Sequence, residues 1–150
     1  MLPFDIFHQV ARLVATPIIE VVPLRTNAGK TEILLLRREV DDPVWPNQLH
    51  VPGTVVRASD TPGSFNDPLK RVLSKELHGV PTSALTFVKN ILHHSGRGME
   101  ASQIFWVEVQ GEAIEGAFYD ANELPGDIVR SQLDFIPDAI AHFKSARAIS

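Results

Sequence analysis

The sequence contains no cysteine. That excludes disulfides, thiolate metal sites and cysteine nucleophiles, and it fits a cytoplasmic protein. No apolar run approaches the roughly 20 residues of a membrane span. The first apolar run is broken by Asp5 and His8 and follows no basic stretch, so it does not read as a signal peptide. Positive charge is not in excess: 14 Lys and Arg stand against 18 Asp and Glu, for a net charge of −4. Bulk attraction to nucleic acid or to an anionic membrane is therefore not expected. Internal repeats, linkers and low-complexity segments are missing. So are a phosphate-cradling P-loop, a dinucleotide-binding glycine pattern and any Ser-His-Asp spacing.

What is present is ordinary for a soluble globule: 150 residues, 44% apolar and 21% charged. That is enough for one domain, 1–150, with a real core. Pro3 to Val14 reads as a short helix, with Phe4, Phe7, Val10, Ala11 and Val14 on one face. It forms an N-terminal appendage over 1–15 that packs on the body of the domain or on a partner, and Phe4 and Phe7 offer a contact for a homodimer. Pro17 to Leu24 reads as a strand in which Pro23 marks an edge or a bulge. Asn27 to Lys30 is a turn, and Glu32 to Leu36 is a strand apolar on both faces, hence central.

The chain is organised around Leu49 to Val80. Leu49, Val51, Val55 and Val56 carry strand character, interrupted by Pro52-Gly53. A polar loop follows. Asp67 suits an N-cap and Pro68 the first helical position. Leu69, Val72, Leu73, Leu77 and Val80 recur at helical spacing, and Gly79 can close the helix in a left-handed conformation. Beyond it, Ala84 to Ile91 reads as a strand, His93 to Gly98 as a loop, and Ser102 to Val109 and Ile114 to Tyr119 as strands. A closing helix covers Val129 to Phe143, with a kink at Pro137 or a start near Asp134.

The central stretch resembles a Nudix box, GX5EX7REUXEEXGU with U aliphatic, preceded by Leu-Pro-Gly; here Val51-Pro52-Gly53 stands in that place. The box glycine falls on Thr54 and its first glutamate on Asp60, after which the loop is three or four residues too long. Counted back from Gly79 without a gap, the Arg-Glu pair falls on Val72-Leu73 and the Glu-Glu pair on Glu76-Leu77. With one extra residue before Gly79, the matches become Arg71-Val72-Leu73 and Lys75-Glu76, which keeps the arginine. Either way one carboxylate remains of the helix's three. The apolar strand ending in Arg37-Arg38, the loop with Trp45-Pro46 and the acidic segment Asp120 to Pro125 resemble the same family.

The resemblance implies an α/β/α sandwich with a mixed, curved sheet. It also implies Mg²⁺-dependent hydrolysis of phosphoanhydrides in nucleoside diphosphate-linked compounds. Mg²⁺ wants several oxygen ligands in near-octahedral geometry. Glu76 is the remaining metal ligand and catalytic group, or else a solvated helix glutamate. Asp60 is a second ligand or a turn former. Lys75 at a ligand position repels a cation but can touch a phosphate, and Arg38, Arg57, Arg71 and Arg97 can line a phosphate pocket. Arg71 can also hold the loop through a carboxylate. His50 is placed near any cleft as a base. His93 and His94 cannot share an ion on a strand, because neighbours point to opposite faces. Trp45 can stack a base, while Trp106 reads as core. Three readings stay open: a divergent hydrolase, a module that holds a nucleotide or other phosphorylated small molecule without cleaving it, and an interaction protein that kept only the fold.

Overall fold

In a computed structural model, residues 3–149 are described. The chain forms α1 (Phe4–Ala11), β1 (Thr16–Asn27), β2 (Lys30–Arg37), β3 (Leu49–His50), β4 (Gly53–Val55), α2 (Asn66–Arg71) with a following π-helical turn (Val72–Glu76), β5 (Thr86–Ser95), β6 (Gly98–Glu108), β7 (Ala117–Asp120), a 3₁₀ turn (Arg130–Asp134) and α3 (Ile136–Ile149). The strands make one mixed sheet in the order β3-β2-β1-β6-β5, with β4 also on β1 and β7 on β2. This is the α/β/α sandwich expected. Among the described residues, no helix is long and apolar enough to cross a membrane.

β1 is the spine. It runs parallel to β6 from Thr16↔Glu100 to Leu24↔Glu108. On its other side it changes partner, pairing β4 through Ile18, Ile19 and Glu20 and β2 from Leu24 onward. Pro23 is therefore interior, not at an edge. Val21 donates its N–H to Pro52 O (3.0 Å), and residue 23, two positions on, faces the same way. Its missing N–H falls in the gap between β4 and β2, where no ladder bond is lost. The β1–β2 turn has Ala28 at φ 50° and Gly29 at φ 79°, the pair of left-handed residues that a tight hairpin needs.

Both sheet faces are covered, which is why β1 is nearly continuous in apolar residues. Ile19, Val21, Leu34 and Val107 pack against Val72 and Leu77 of the α2 segment. Val22, Leu24, Ile33, Ile104 and Trp106 pack against Phe135, Ile140 and Phe143. Trp106 is core, as its mid-strand position suggests, and its indole N–H donates to His142 Nδ1 at 2.9 Å. The helix α1 turns Ala11 inward and lays Phe7 against the Arg97 guanidinium, 5.3 Å from its ring. Phe7 thus contacts the body of the domain; Phe4, Ile6 and Val10 are the exposed apolar residues of that helix.

Several boundaries differ from the sequence reading. β5 continues through His93 and His94 to Ser95, because antiparallel pairing with β6 carries the chain to the Ser95↔Gly98 register. Ile114 lies in a loop ahead of β7. Asp67 does not cap α2, whose N-cap is Phe65; its carboxylate instead accepts the Thr61 N–H at 2.8 Å and closes the loop. The closing helix starts at Ile136, which puts Pro137 in the first turn, where a missing N–H costs nothing.

Phe143 has no solvent exposure. Phe143→Ala should lower unfolding free energy by about 3–5 kcal/mol, as expected for a buried aromatic truncated to a cavity. Phe4→Ala, on the exposed helix face, should change it by less than about 0.5 kcal/mol. Urea titration of both variants checks the pair.

Candidate functional site

A cleft of about 190 Å³ opens where β4 leaves β1, and Arg38, Arg57, Arg71, Lys75 and Glu76 all line it. They arrive from separate elements: Arg38 after β2, Arg57 after β4, and the other three from α2 and its π turn. The extra residue that the spacing demands before Gly79 takes the form of this turn. Leu77 N–H reaches back five residues to Val72 O and Gly79 N–H six to Leu73 O, both at 3.0 Å. Gly79 closes the segment at φ 68°.

Arg71 is held rather than free. Its Nη1 and Nη2 donate to Asp60 Oδ1 (2.8 Å) and Oδ2 (3.1 Å), its Nη2 also to Val55 O (3.0 Å), and its Nε to Thr54 Oγ1 (3.1 Å). The Arg57 N–H donates to Asp60 Oδ2 at 2.8 Å. These bonds, Arg71 first and then Arg57, hold the Asp60 carboxyl down to about 2. Both Asp60 oxygens are thus engaged by an arginine, and Asp60 lies off the cleft wall. Arg71 ties the polar loop to β4 and α2.

Arg38 donates through Nε to Asp42 Oδ2 at 2.7 Å, while Asp42 Oδ1 accepts the N–H groups of Val44 (3.0 Å) and Trp45 (2.8 Å). Burial alone would raise the Asp42 carboxyl; the Trp45, Val44 and Arg38 hydrogen bonds outweigh it and leave it lowered. This turn presents the Trp45 ring to two guanidiniums, Arg97 at 4.8 Å and Arg38 at 5.3 Å. Trp45 therefore positions arginines. Gly96, at the β5–β6 hairpin tip, leaves room for this turn: a Cβ there would stand 2.7 Å from Val44 Cγ1 and 3.0 Å from Trp45 Nε1.

His50 also faces the cleft. Its Nδ1 lies 2.8 Å from Val51 O, and a carbonyl can only accept, so Nδ1 carries the proton and Nε2 has a free lone pair. Burial, chiefly, pulls its pKa down to about 4, so at neutral pH it is an uncharged acceptor. His93 and His94 point to opposite faces. His93 Nδ1 meets Asp134 Oδ2 at 3.0 Å and its Nε2 meets Ser102 Oγ at 3.4 Å. This Ser-His-Asp set was invisible in sequence because its members sit on β6, β5 and the 3₁₀ turn. Ser102 is 2% exposed, which closes its hydroxyl to a substrate; the trio clasps three elements together.

Two acids that the sequence reading passed over stand at the cleft. Glu20 of β1 and Glu100 of β6 are 7% and 4% exposed. Strand alternation puts them on one sheet face, since Glu20 pairs with Ile104, four residues from Glu100. Arg97 donates through Nη2 to Glu100 Oε2 at 2.8 Å. Glu20 is pushed well above the usual carboxylate range by burial first and then by Glu100, against the pull of Arg97 and Arg38, with Glu76 adding to the rise. A lone acid inside PIIEVVPL was the available signal, because buried carboxylates are rare without a purpose or a partner.

The donor set does not fit a helix-held magnesium ion. Burial raises Glu76 above its ordinary pKa, Lys75 precedes it, and Asp60 is bound to Arg71. Among the described residues no group of three or more His, Cys, Asp or Glu could hold a metal ion.

No protein-family model matches the sequence, and no curated protein does. Solved structures do match. A mutT/nudix family protein from Listeria innocua superposes with TM-score 0.70 at 16% identity, over 90% of this chain and 98% of that one. The NUDIX domain of Shewanella oneidensis NrtR, solved with ADP ribose, gives 0.68 at 13% identity, over 87% and 89%. The longer NrtR chain, solved with a 27mer DNA, gives 0.62 at 13%, over 85% and 62%. C. elegans Ap4A hydrolase gives 0.57 at 14%, over 91% and 100%. At these identities the likeness establishes the architecture: the chain has the Nudix fold.

The Glu20 carboxyl predicts a pH signature. The unfolded chain releases this proton near 4.5, while the folded chain keeps it to higher pH. Folding therefore takes up a proton above pH 4.5, and stability falls as pH rises toward the folded-state pKa. The slope is at most about 1.4 kcal/mol per pH unit for one proton. Glu20→Gln has no such proton, so its stability advantage over the wild type should grow with pH from about 4.5 upward. Urea midpoints at several pH values measure it; parallel curves for the two proteins would mean that Glu20 titrates normally.

Proposed function

We propose that this chain, with its Nudix fold, binds a nucleoside diphosphate or a related phosphorylated small molecule in the cleft, and does so without a carboxylate-held Mg²⁺. One observation supports this above others: the positions where the family gathers acids here offer Lys75 and Arg57, with Glu76 as the helix's one remaining carboxylate on the cleft. Direct cationic contacts replace what a metal does for a diphosphate, since an ammonium or guanidinium meets phosphate oxygens with charge-assisted hydrogen bonds. The cavity, about 190 Å³, lies below the ~300–1,000 Å³ of drug-sized ligand pockets. It encloses one end of such a ligand and leaves the rest across the open mouth, where Lys75 is exposed. The NrtR NUDIX domain, solved with ADP ribose, makes that compound a sensible first probe.

A second reading, phosphoanhydride hydrolysis, rests on Glu76. It is half-buried on the cleft wall and its carboxyl is raised by burial, which suits a group that takes a proton from water. The net charge argues against nucleic acid as a partner, but the NrtR complex with DNA keeps that class among those to screen.

Calorimetry with ADP-ribose and ADP separates the readings. Affinity should be the same in Mg²⁺ and in EDTA, should fall as salt rises, and should drop roughly three- to tenfold in Lys75→Ala, as for loss of one partly exposed charged contact. Mg²⁺-dependent release of AMP or phosphate that disappears in Glu76→Gln would establish the hydrolase instead.

A further inference from the structure

Glu20 Oε2 and Arg97 Nε are the buried side-chain polar atoms with no hydrogen-bond partner among the described residues. Both residues line the same cleft. Buried polar groups are nearly always bonded, so an orphan acceptor and an orphan donor in one cavity need a common explanation. The chain has also made room for one of them. A Cβ on Gly53 would collide with Glu20 Oε2, so the glycine after Pro52 lets that oxygen lie at the cleft. Arg97 cannot swing away to satisfy itself, because Glu100 holds its Nη2 at 2.8 Å and the Trp45 and Phe7 rings flank its guanidinium at 4.8 and 5.3 Å.

We infer that Glu20 and Arg97 form a subsite for the hydrogen-bonding edge of a nucleobase, which supplies an N–H to Glu20 Oε2 and an acceptor atom to Arg97 Nε. A phosphate does not fit this floor: its oxygens only accept, so they leave the Glu20 Oε2 acceptor unmet, and the Glu100 carboxylate beside Arg97 faces them as well. A bare sugar offers hydroxyls but no flat edge that carries a fixed donor and a fixed acceptor side by side. A base edge carries a donor and an acceptor side by side and stays uncharged. His50 Nε2, with its free lone pair, adds an acceptor on the same wall. The diphosphate then points outward to Arg57 and Lys75. This assignment rests on the nucleotide reading above and extends it by stating which end of the ligand is buried.

The two claims separate when each half of the ligand is offered alone to the full chain. Nucleosides (adenosine, guanosine, cytidine, uridine) probe the floor, and inorganic pyrophosphate probes the mouth. Calorimetry or saturation-transfer NMR should show at least one nucleoside binding where ribose does not. Glu20→Met, which removes the carboxyl at similar volume, should weaken that nucleoside at least tenfold and change pyrophosphate affinity by less than twofold. Glu20→Gln keeps a carbonyl acceptor and should restore part of the loss. A thermal melt within a few degrees of wild type confirms that each variant is folded. Nucleosides that fail to bind, or that bind Glu20→Met as tightly as wild type, would overturn the subsite. Pyrophosphate that fails to bind while a nucleoside succeeds would sink the phosphate reading and leave the subsite standing.

Discussion

A guanidinium has five N–H donors in a rigid plane, and it immobilises a loop only where acceptors meet it from several directions. Arg71 finds them: a hydroxyl and a carbonyl on β4, and both oxygens of Asp60 in the polar loop. The bidentate carboxylate contact fixes orientation as well as distance. Through this one side chain the loop, the strand after Pro52-Gly53 and the helix become a single wall. That wall forms one side of the cleft, and Lys75 and Glu76 are displayed on it because Arg71 and Asp60 neutralise each other beside them.

The π turn follows from the same constraint. Arg71 must reach Thr54 and Asp60, while Val72 and Leu77 must be buried against Ile19, Val21 and Leu34. A regular helix holding one residue too many would turn the later apolar positions out of register by about 100°. Widening one turn absorbs the residue and keeps both ends in place, as such bulges do elsewhere at functional sites. Glu76 is carried at the end of that turn, on the cleft. Its position is therefore a consequence of anchoring, and its half-buried setting disfavours the charge that a divalent ion would need.

The cleft's electrostatics divide by depth. At the mouth stand cations, Lys75 and Arg57. On the floor two carboxylates and one guanidinium share a dry space, where burial favours neutral or mutually paired forms. Glu100 is paired with Arg97, and Glu20 Oε2 has no hydrogen-bond partner among the described residues. Such a gradient, cationic outside and hydrogen-bonding but nearly neutral within, matches a ligand that is anionic at one end and heteroaromatic at the other.

Much of this was legible along the chain, and the divide has a physical basis. Local patterns identified the β1–β2 hairpin, the α2 segment and its glycine stop and the core position of Trp106, because periodicity and turn chemistry are properties of neighbouring residues; the α/β/α layering was implied by the resemblance of the central stretch to the Nudix box. Tertiary structure decided the rest. It placed Pro23 inside a sheet at a change of partner, extended β5 through two histidines by pairing it with β6, and joined Ser102, His93 and Asp134 across 41 positions. Above all it brought Glu20, Gly53 and Arg97 into one cavity. Gly53 and Arg97 stood out in sequence, as a strand break and a phosphate-pocket residue, but their meeting with Glu20 did not, since the free energy of an unpaired buried oxygen depends on what lies across the fold and not on what lies beside it in the chain.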